Sequence, residues 1–113
     1  MGIKDLQSKV DDWINKYGVR YFSELTNMTL LTEEVGELAR LMAREYGEQS
    51  FKKGVEQEDI KLAISDELAD IIFVTTCLAN QMNINLEEAV NKNIDKKTRR
   101  DKTRHHDNEK LKN

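Results

Sequence analysis

The stretch DELADIIFVTTCLA, residues 66–79, decides the fold of this 113-residue chain. From Leu68 to Leu78 it is apolar on nearly every side of a helix, which is typical of a helix at the centre of a bundle. Its β-branched residues would also suit a strand, but an unbroken 3.6-residue period from about Asp59 to Met82 favours a helix. This helix is too apolar for one short chain to cover, so we expect a homo-oligomer.

Three further amphipathic segments surround this central helix. Apolar residues spaced by three and four predict helices over about residues 3–17 and 23–46, and a last helix from Leu86 to about residue 100. We expect Gly18 to cap the first helix at its C-terminus, and Asn85 to cap the last at its N-terminus. Ser23 or Thr26 is expected to cap the start of the second helix. Four helices joined by short turns predict an all-α fold, a four-helix bundle.

Charge is divided unevenly along the chain. Residues 92–113 hold nine Lys or Arg and four Asp or Glu, a balance of +5, whereas the rest carries −8. An acidic body argues against duplex-DNA binding, so nucleic acid is not an expected partner. Binding of RNA or DNA through the basic residues 92–113 is an alternative that truncation of this segment would test. We expect residues 1–104 to form the domain and residues 105–113 a charged, flexible tail.

The expected environment is the cytoplasm. The chain has no apolar run long enough to span a membrane, so no membrane partner is expected. Its N-terminus is charged and does not resemble a signal peptide. The single Cys77 cannot form an internal disulfide, and it lies in an apolar run where a reduced thiol is at home.

Two acidic pairs border the apolar faces of the two longest predicted helices. Glu34 and Glu37 lie in EEVGE, residues 33–37, and Glu67 and Asp70 lie in DELAD, residues 66–70. Residues three apart share one helix face, so packing of these helices would bring four carboxylates together. Neither motif contains Lys or Arg, and a hard divalent cation such as Mg²⁺ would relieve the repulsion. Such pairs also occur on solvated surfaces, which remains the alternative.

The pair of motifs resembles a known family. EEVGE followed by DELAD is similar to the EExxE…ExxD signature of the MazG-like nucleotide pyrophosphohydrolases, and the resemblance extends over about residues 3–104. It implies an all-α bundle that assembles as a homodimer or homotetramer. It also implies Mg²⁺, with Mn²⁺ as a substitute, bound by Glu34, Glu37, Glu67 and Asp70. By the same resemblance Glu33 matches the leading glutamate, and Glu33 or Glu37 would be the catalytic base.

The resemblance further implies a reaction and a substrate. A nucleoside triphosphate would be cleaved between its α and β phosphates, giving a monophosphate and pyrophosphate, as in the house-cleaning of non-standard or excess nucleotides. The implied substrate-binding residues are Asn93, Lys96, Lys97 and Arg100 for the phosphates, and Tyr21 and Phe22 for the base. Two alternatives stay open: an enzyme like phosphoribosyl-ATP pyrophosphohydrolase, and a non-catalytic, metal-stabilised helical interaction module.

Overall fold

A computed structural model describes residues 1–112, and these residues form helices without any strand. The four α-helices are α1 (Ile3–Trp13), α2 (Glu24–Tyr46), α3 (Gln57–Gln81) and α4 (Leu86–Asp101). The predicted all-α class and the four helices are therefore confirmed. A short 3₁₀ helix, Glu109–Leu111, follows in the predicted tail, whose last residue, Asn113, lies outside the described residues. Within this range no helix has the length and apolarity needed to cross a bilayer.

α2 and α3 form an antiparallel pair. The start of α2 meets the end of α3, where the Asn27 side chain donates a hydrogen bond to Gln81. At the opposite end, Gln57 of α3 donates to Glu45 of α2. α1 packs across α3, and α4 packs chiefly against α1. This arrangement places the two acidic motifs side by side at the middle of the α2–α3 pair.

Local capping explains where α2 and α4 begin. The Ser23 hydroxyl accepts a hydrogen bond from the backbone N–H of Thr26 at 3.2 Å. The Asn85 side chain accepts one from the N–H of Glu88 at 3.0 Å. Both caps satisfy backbone donors that a helix start leaves unpaired, as the sequence predicts.

The end of α1 differs from the prediction. α1 continues as a π-helical turn over Ile14–Gly18, and Gly18 does not take the left-handed conformation. Val19 takes it instead, with φ 68° and ψ −56°, and the N–H of Arg20 donates to the Gly18 carbonyl at 2.7 Å. These values describe a γ-turn, which is strained for a β-branched residue.

A hydrogen-bond network fixes the turn between α3 and α4. The Gln7 amide nitrogen donates to Asn80 Oδ1 at 3.0 Å and to the Ile84 carbonyl at 2.8 Å. The Gln7 oxygen accepts from the N–H of Leu86 at 2.9 Å, and Asn80 donates to the Gln7 carbonyl at 3.0 Å. α1 thereby sets the position of α4.

The single chain is open. Its core is small, built on Val10, Ile14 and Cys77. The Cα radius of gyration is 18.1 Å, against about 13 Å for a compact domain of this length. Large apolar side chains of α2 and α3 stay exposed, including those of Val35, Leu68 and Ile72, which are about half exposed. The expectation that one chain cannot cover α3 agrees with this exposure.

Candidate functional site

Three carboxylates converge where α2 and α3 pack. α2 supplies Glu34, and one turn of α3 supplies Glu67 and Asp70, all half-buried. One oxygen from each of the three lies within 4.8 Å of the others. Oε2 of Glu67 is buried and has no hydrogen-bond partner among the described residues. A buried anionic oxygen without a partner is costly, so this geometry calls for a cation.

The electrostatics of the cluster agree with that requirement. The pKa of Glu34 is raised, first because its carboxyl can share a proton with Glu67, and then by burial and by the Glu67 charge. The pKa of Asp70 is raised first by burial and then by the charges of Asp66 and Glu34. No Lys or Arg within residues 1–112 forms an ion pair with the three carboxylates. Oxygen donors of this kind fit a hard divalent ion.

The two other predicted acidic residues lie outside the cluster. Glu37 is one turn beyond Glu34, and its Oε2 lies 3.6 Å from Nη2 of Arg40, with both side chains largely exposed. Glu33 is exposed on α2. The structure thus brings together three of the four predicted ligands. The roles of Glu37 and Glu33 stay predictions.

An apolar cavity of about 320 Å³ lies next to the acidic cluster between α1, α2 and α3. The lining residue of α2 that is nearest to Glu34 in sequence is Leu30, one turn before it. The lining residue of α3 that is nearest to Asp70 is Phe73, one turn after it. Its aromatic lining residues are Trp13, Tyr21, Phe22 and Phe73. The site therefore combines an acidic cluster with an adjoining apolar, aromatic cavity.

Residues 22–105 match the family described as the MazG nucleotide pyrophosphohydrolase domain, and this range includes the acidic cluster. The chain belongs to this family. It is also 43% identical over 102 residues to YpjD of Bacillus subtilis (strain 168), a protein that is itself uncharacterized. That alignment covers 90% of this chain and 88% of YpjD.

Solved structures agree with the family assignment. The crystal structure of YpjD from Bacillus subtilis superposes with a TM-score of 0.73 at 40% identity, covering 85% of this chain and 94% of that one. The crystal structure of the Bacillus-conserved MazG protein, described as a nucleotide pyrophosphohydrolase, gives a TM-score of 0.70 at 41% identity. It covers 85% of this chain and 88% of that one. The chain is an enzyme of the nucleotide pyrophosphohydrolase class, whose members generally depend on a divalent metal.

Both predicted base-contacting residues of this MazG domain line the cavity. Tyr21 is half-buried, and its hydroxyl donates to Asp11 at 2.7 Å and accepts from Asn80 at 3.0 Å. Burial, followed by the Asp11 hydrogen bond, raises the pKa of Tyr21 to about 12. Phe22 is exposed, and its backbone carbonyl accepts a hydrogen bond from the Gln81 amide. Tyr21 is therefore held rigidly, whereas the Phe22 ring is free at the mouth of the cavity.

Asn27, a polar residue that was not predicted to belong to the site, also lines the cavity. Its side chain is only 4% exposed, and its amide nitrogen donates to Gln81 Oε1 at 2.8 Å. A signal for it exists in the sequence: Asn27 lies seven residues before Glu34 and so shares its helix face. A single amide on the buried face of a long helix indicates a specific polar contact.

The basic residues of α4 lie apart from the acidic cluster within one chain. Asn93, Lys96 and Lys97 are exposed on α4, which packs chiefly against α1. Arg100 pairs with Asp101 at 2.9 Å. Contact of these four residues with phosphate remains a prediction.

Proposed function

We propose that this MazG enzyme hydrolyses a nucleoside triphosphate between the α and β phosphates, with Mg²⁺ held by Glu34, Glu67 and Asp70. Glu37 would be the fourth ligand, and Mn²⁺ is expected to substitute for Mg²⁺. The unpaired, buried Oε2 of Glu67 inside a cluster of three carboxylates carries this proposal. Such an oxygen needs a cation, and a cation at this place would face the phosphates of a nucleotide whose base fills the adjoining cavity.

The ion would supply charge neutralisation for the phosphate oxygens and a lower pKa for bound water. The chain's own residues would orient the reactants. Glu34 on α2 and Asp70 on α3 would hold the ion from two sides, because α2 and α3 pack against each other along their length. Glu33 or Glu37 would accept the proton of the attacking water at a carboxylate oxygen. For Glu37 this role requires its contact with Arg40 to open, whereas Glu33 forms no ion pair among the described residues.

The remaining contacts would hold the nucleotide at its two ends. Tyr21 and Phe22 border the cavity, where an aromatic ring can stack on a base. The phosphate contacts are expected from the exposed basic face of α4, namely Asn93, Lys96, Lys97 and Arg100. Stacking and charge together would place the α phosphate near the carboxylates, which is the positioning that phosphoryl transfer requires.

We further propose that the enzyme acts as a homodimer or homotetramer with its substrate sites near the subunit interface. The radius of gyration of 18.1 Å and the exposed side chains of Val35, Leu68 and Ile72 support this proposal. Exposed large apolar side chains on two neighbouring helices agree with an interaction surface. The buried free thiol of Cys77 agrees with a reducing cytoplasm.

A nucleotide panel with Mg²⁺ tests the reaction. The purified chain is incubated with standard and non-standard nucleoside triphosphates and with phosphoribosyl-ATP, and both pyrophosphate and inorganic phosphate are measured. We expect equimolar monophosphate and pyrophosphate, with faster turnover of non-standard nucleotides if the role is house-cleaning. Phosphoribosyl-ATP as the preferred substrate would favour the related enzyme class. Inorganic phosphate as the first product would refute cleavage between the α and β phosphates.

Glu67→Gln tests the metal centre directly. The substitution keeps the size of the side chain but removes its charge, so we expect kcat/KM to fall by about a hundredfold or more. Glu48→Gln, in the exposed loop between α2 and α3, is the matched control and should behave like the parent chain. Equal activity of the two variants would contradict a metal role for Glu67.

A further inference from the structure

We propose that Asn27 recognises the edge of the substrate's base by accepting a hydrogen bond from a base N–H through Oδ1. Gln81 determines which end of the Asn27 amide is the free acceptor. The inference rests on the proposed function because it takes a nucleotide as the occupant of the cavity. Asn27 would then be the residue that senses base identity. Three groups form a hydrogen-bonded chain here: the Phe22 carbonyl, the Gln81 amide and the Asn27 amide.

The backbone carbonyl of Phe22 fixes the direction of this chain. A carbonyl oxygen can only accept, so the group of Gln81 that faces it must be the NH₂. The other end of that amide, Oε1, then faces Asn27 and accepts from Nδ2 at 2.8 Å. If either amide were rotated by 180°, two oxygens or two NH₂ groups would face each other, which is unfavourable. The chemistry of the chain therefore leaves Oδ1 as the free acceptor of Asn27.

The place of that acceptor at the cavity makes it significant. Asn27 is 4% exposed and lines a cavity with otherwise mostly apolar walls. Its Oδ1 accepts no hydrogen bond from any side chain that the structure describes, whereas Nδ2 is occupied by Gln81. Glu67 Oε2 is the one fully buried side-chain oxygen without a partner among residues 1–112, so Asn27 Oδ1 keeps surface that a ligand in the cavity can reach. A ligand that brings a donor would gain a hydrogen bond there.

The position of Asn27 matches the geometry of a nucleotide. Asn27 and Glu34 share one face of α2, seven residues apart, which is about 10 Å along the helix axis. A base in the cavity, stacked beside Tyr21 or Phe22, would direct its sugar and phosphates towards the carboxylates. The base edge remote from the sugar would then face the start of α2, where Asn27 lies. Amino groups of adenine and cytosine are donors on that edge.

Base analogues without the donor give the sharpest test. Purine riboside 5′-monophosphate differs from AMP by the missing amino group, and pyrimidin-2-one riboside 5′-monophosphate differs from CMP in the same way. Titration calorimetry with Mg²⁺ present measures their affinities independently of hydrolysis, because a monophosphate has no bond between α and β phosphates. In the parent chain we expect the amino compound of at least one pair to bind about tenfold tighter, the effect of one buried hydrogen bond.

Three variants separate the roles of the two amides. Asn27→Leu keeps the side-chain volume and should bring the affinity ratio of that pair close to one. Gln81→Met removes the acceptor for Nδ2, so the Asn27 amide can rotate and the ratio should also fall. Gln81→Glu still accepts from Nδ2 but sets a carboxylate oxygen against the Phe22 carbonyl, so the ratio should be retained while the unfolding free energy falls. Gln49→Met, in the exposed loop after α2, is the control for a lost amide.

The outcomes distinguish this inference from the proposed function. Equal binding of both members of each pair by the parent chain would overturn it, as would failure of every monophosphate to bind. A preference that survives in Asn27→Leu, or in Gln81→Met if Asn27→Leu does not fold, would overturn it as well. Pyrophosphate release without any preference would leave the enzyme intact and the role of Asn27 refuted. A preference without pyrophosphate release would support the role of Asn27 and refute the proposed reaction.

Discussion

Tyr21→Phe should destabilise the fold while sparing catalysis. The hydroxyl of Tyr21 joins α1 to α3: it donates to Asp11 at 2.7 Å and accepts from Asn80 at 3.0 Å. Phenylalanine keeps the ring at the wall of the cavity and removes only these two bonds. The variant therefore separates the structural part of Tyr21 from its predicted contact with the base.

The magnitude follows from the partners of the hydroxyl. A bond to a carboxylate contributes about 1.5–3 kcal/mol and a neutral bond about 0.5–1.5 kcal/mol. Asn80 keeps a second acceptor, the Gln7 carbonyl at 3.0 Å, and half-buried Asp11 can bind water instead. The loss of both bonds should therefore lower the unfolding free energy by about 2 kcal/mol, near the low end of the two ranges combined. That corresponds to a Tm about 8 °C lower for a chain of this size.

The pH dependence gives a second, independent signature. The pKa of Tyr21 is about 12 in the folded chain, above its ordinary value of 10.0. The folded state thus keeps a proton that the unfolded state loses, and its contribution to stability is complete below pH 10 and lost as pH rises towards 12. Cys77, whose burial raises its pKa to about 11, loses its contribution above pH 9 in both chains. The stability gap between parent and Tyr21→Phe should therefore shrink above pH 10.

Urea unfolding followed by circular dichroism at pH 8 and pH 11 measures both quantities. Turnover at pH 8 and 25 °C should stay within about twofold of the parent for Tyr21→Phe. It should fall about tenfold or more for Tyr21→Leu, which loses the aromatic face. An unchanged unfolding free energy, or a gap as wide at pH 11 as at pH 8, would refute the role assigned to the hydroxyl.

Three further predictions concern the metal, the assembly and the phosphates. Mg²⁺ at a hundred times its Kd should stabilise the parent chain by about 2.7 kcal/mol, and Asp70→Asn should lose this stabilisation in a thermal shift assay. An equal shift of Tm in the parent and in Asp70→Asn would exclude Asp70 as a ligand. Ile72→Lys should lower the mass measured by light scattering to that of a monomer or a smaller oligomer, because it places a charge on an exposed apolar face of α3. An unchanged mass would show that this face is not an interface. Lys97→Glu should raise KM for the nucleotide about tenfold without a matching fall in kcat, and the same KM in Lys97→Glu as in the control Lys4→Glu would exclude phosphate contact.

Local chemistry determined the helices and the pairing of Glu67 with Asp70 on one face of α3. A period of 3.6 residues fixes which side chains share a helix face, and caps such as Ser23 and Asn85 need only a neighbour three residues away. Spacing therefore predicts that Glu67 and Asp70 lie together. It also predicts exposed apolar faces when a helix such as α3 is apolar nearly all round. These features depend on separations of a few residues, which sequence encodes directly.

Only the tertiary structure decided which helices meet and in which register. Asn27 and Gln81 are 54 residues apart, and Gln7 and Asn80 are 73 apart. No local period links such residues, because their contact depends on the packing of whole helices. Packing also placed Glu34 with Glu67 and Asp70 while Glu37 turned towards Arg40. Spacing along a helix fixes a face, but the partner of that face is chosen by the sum of contacts across the fold.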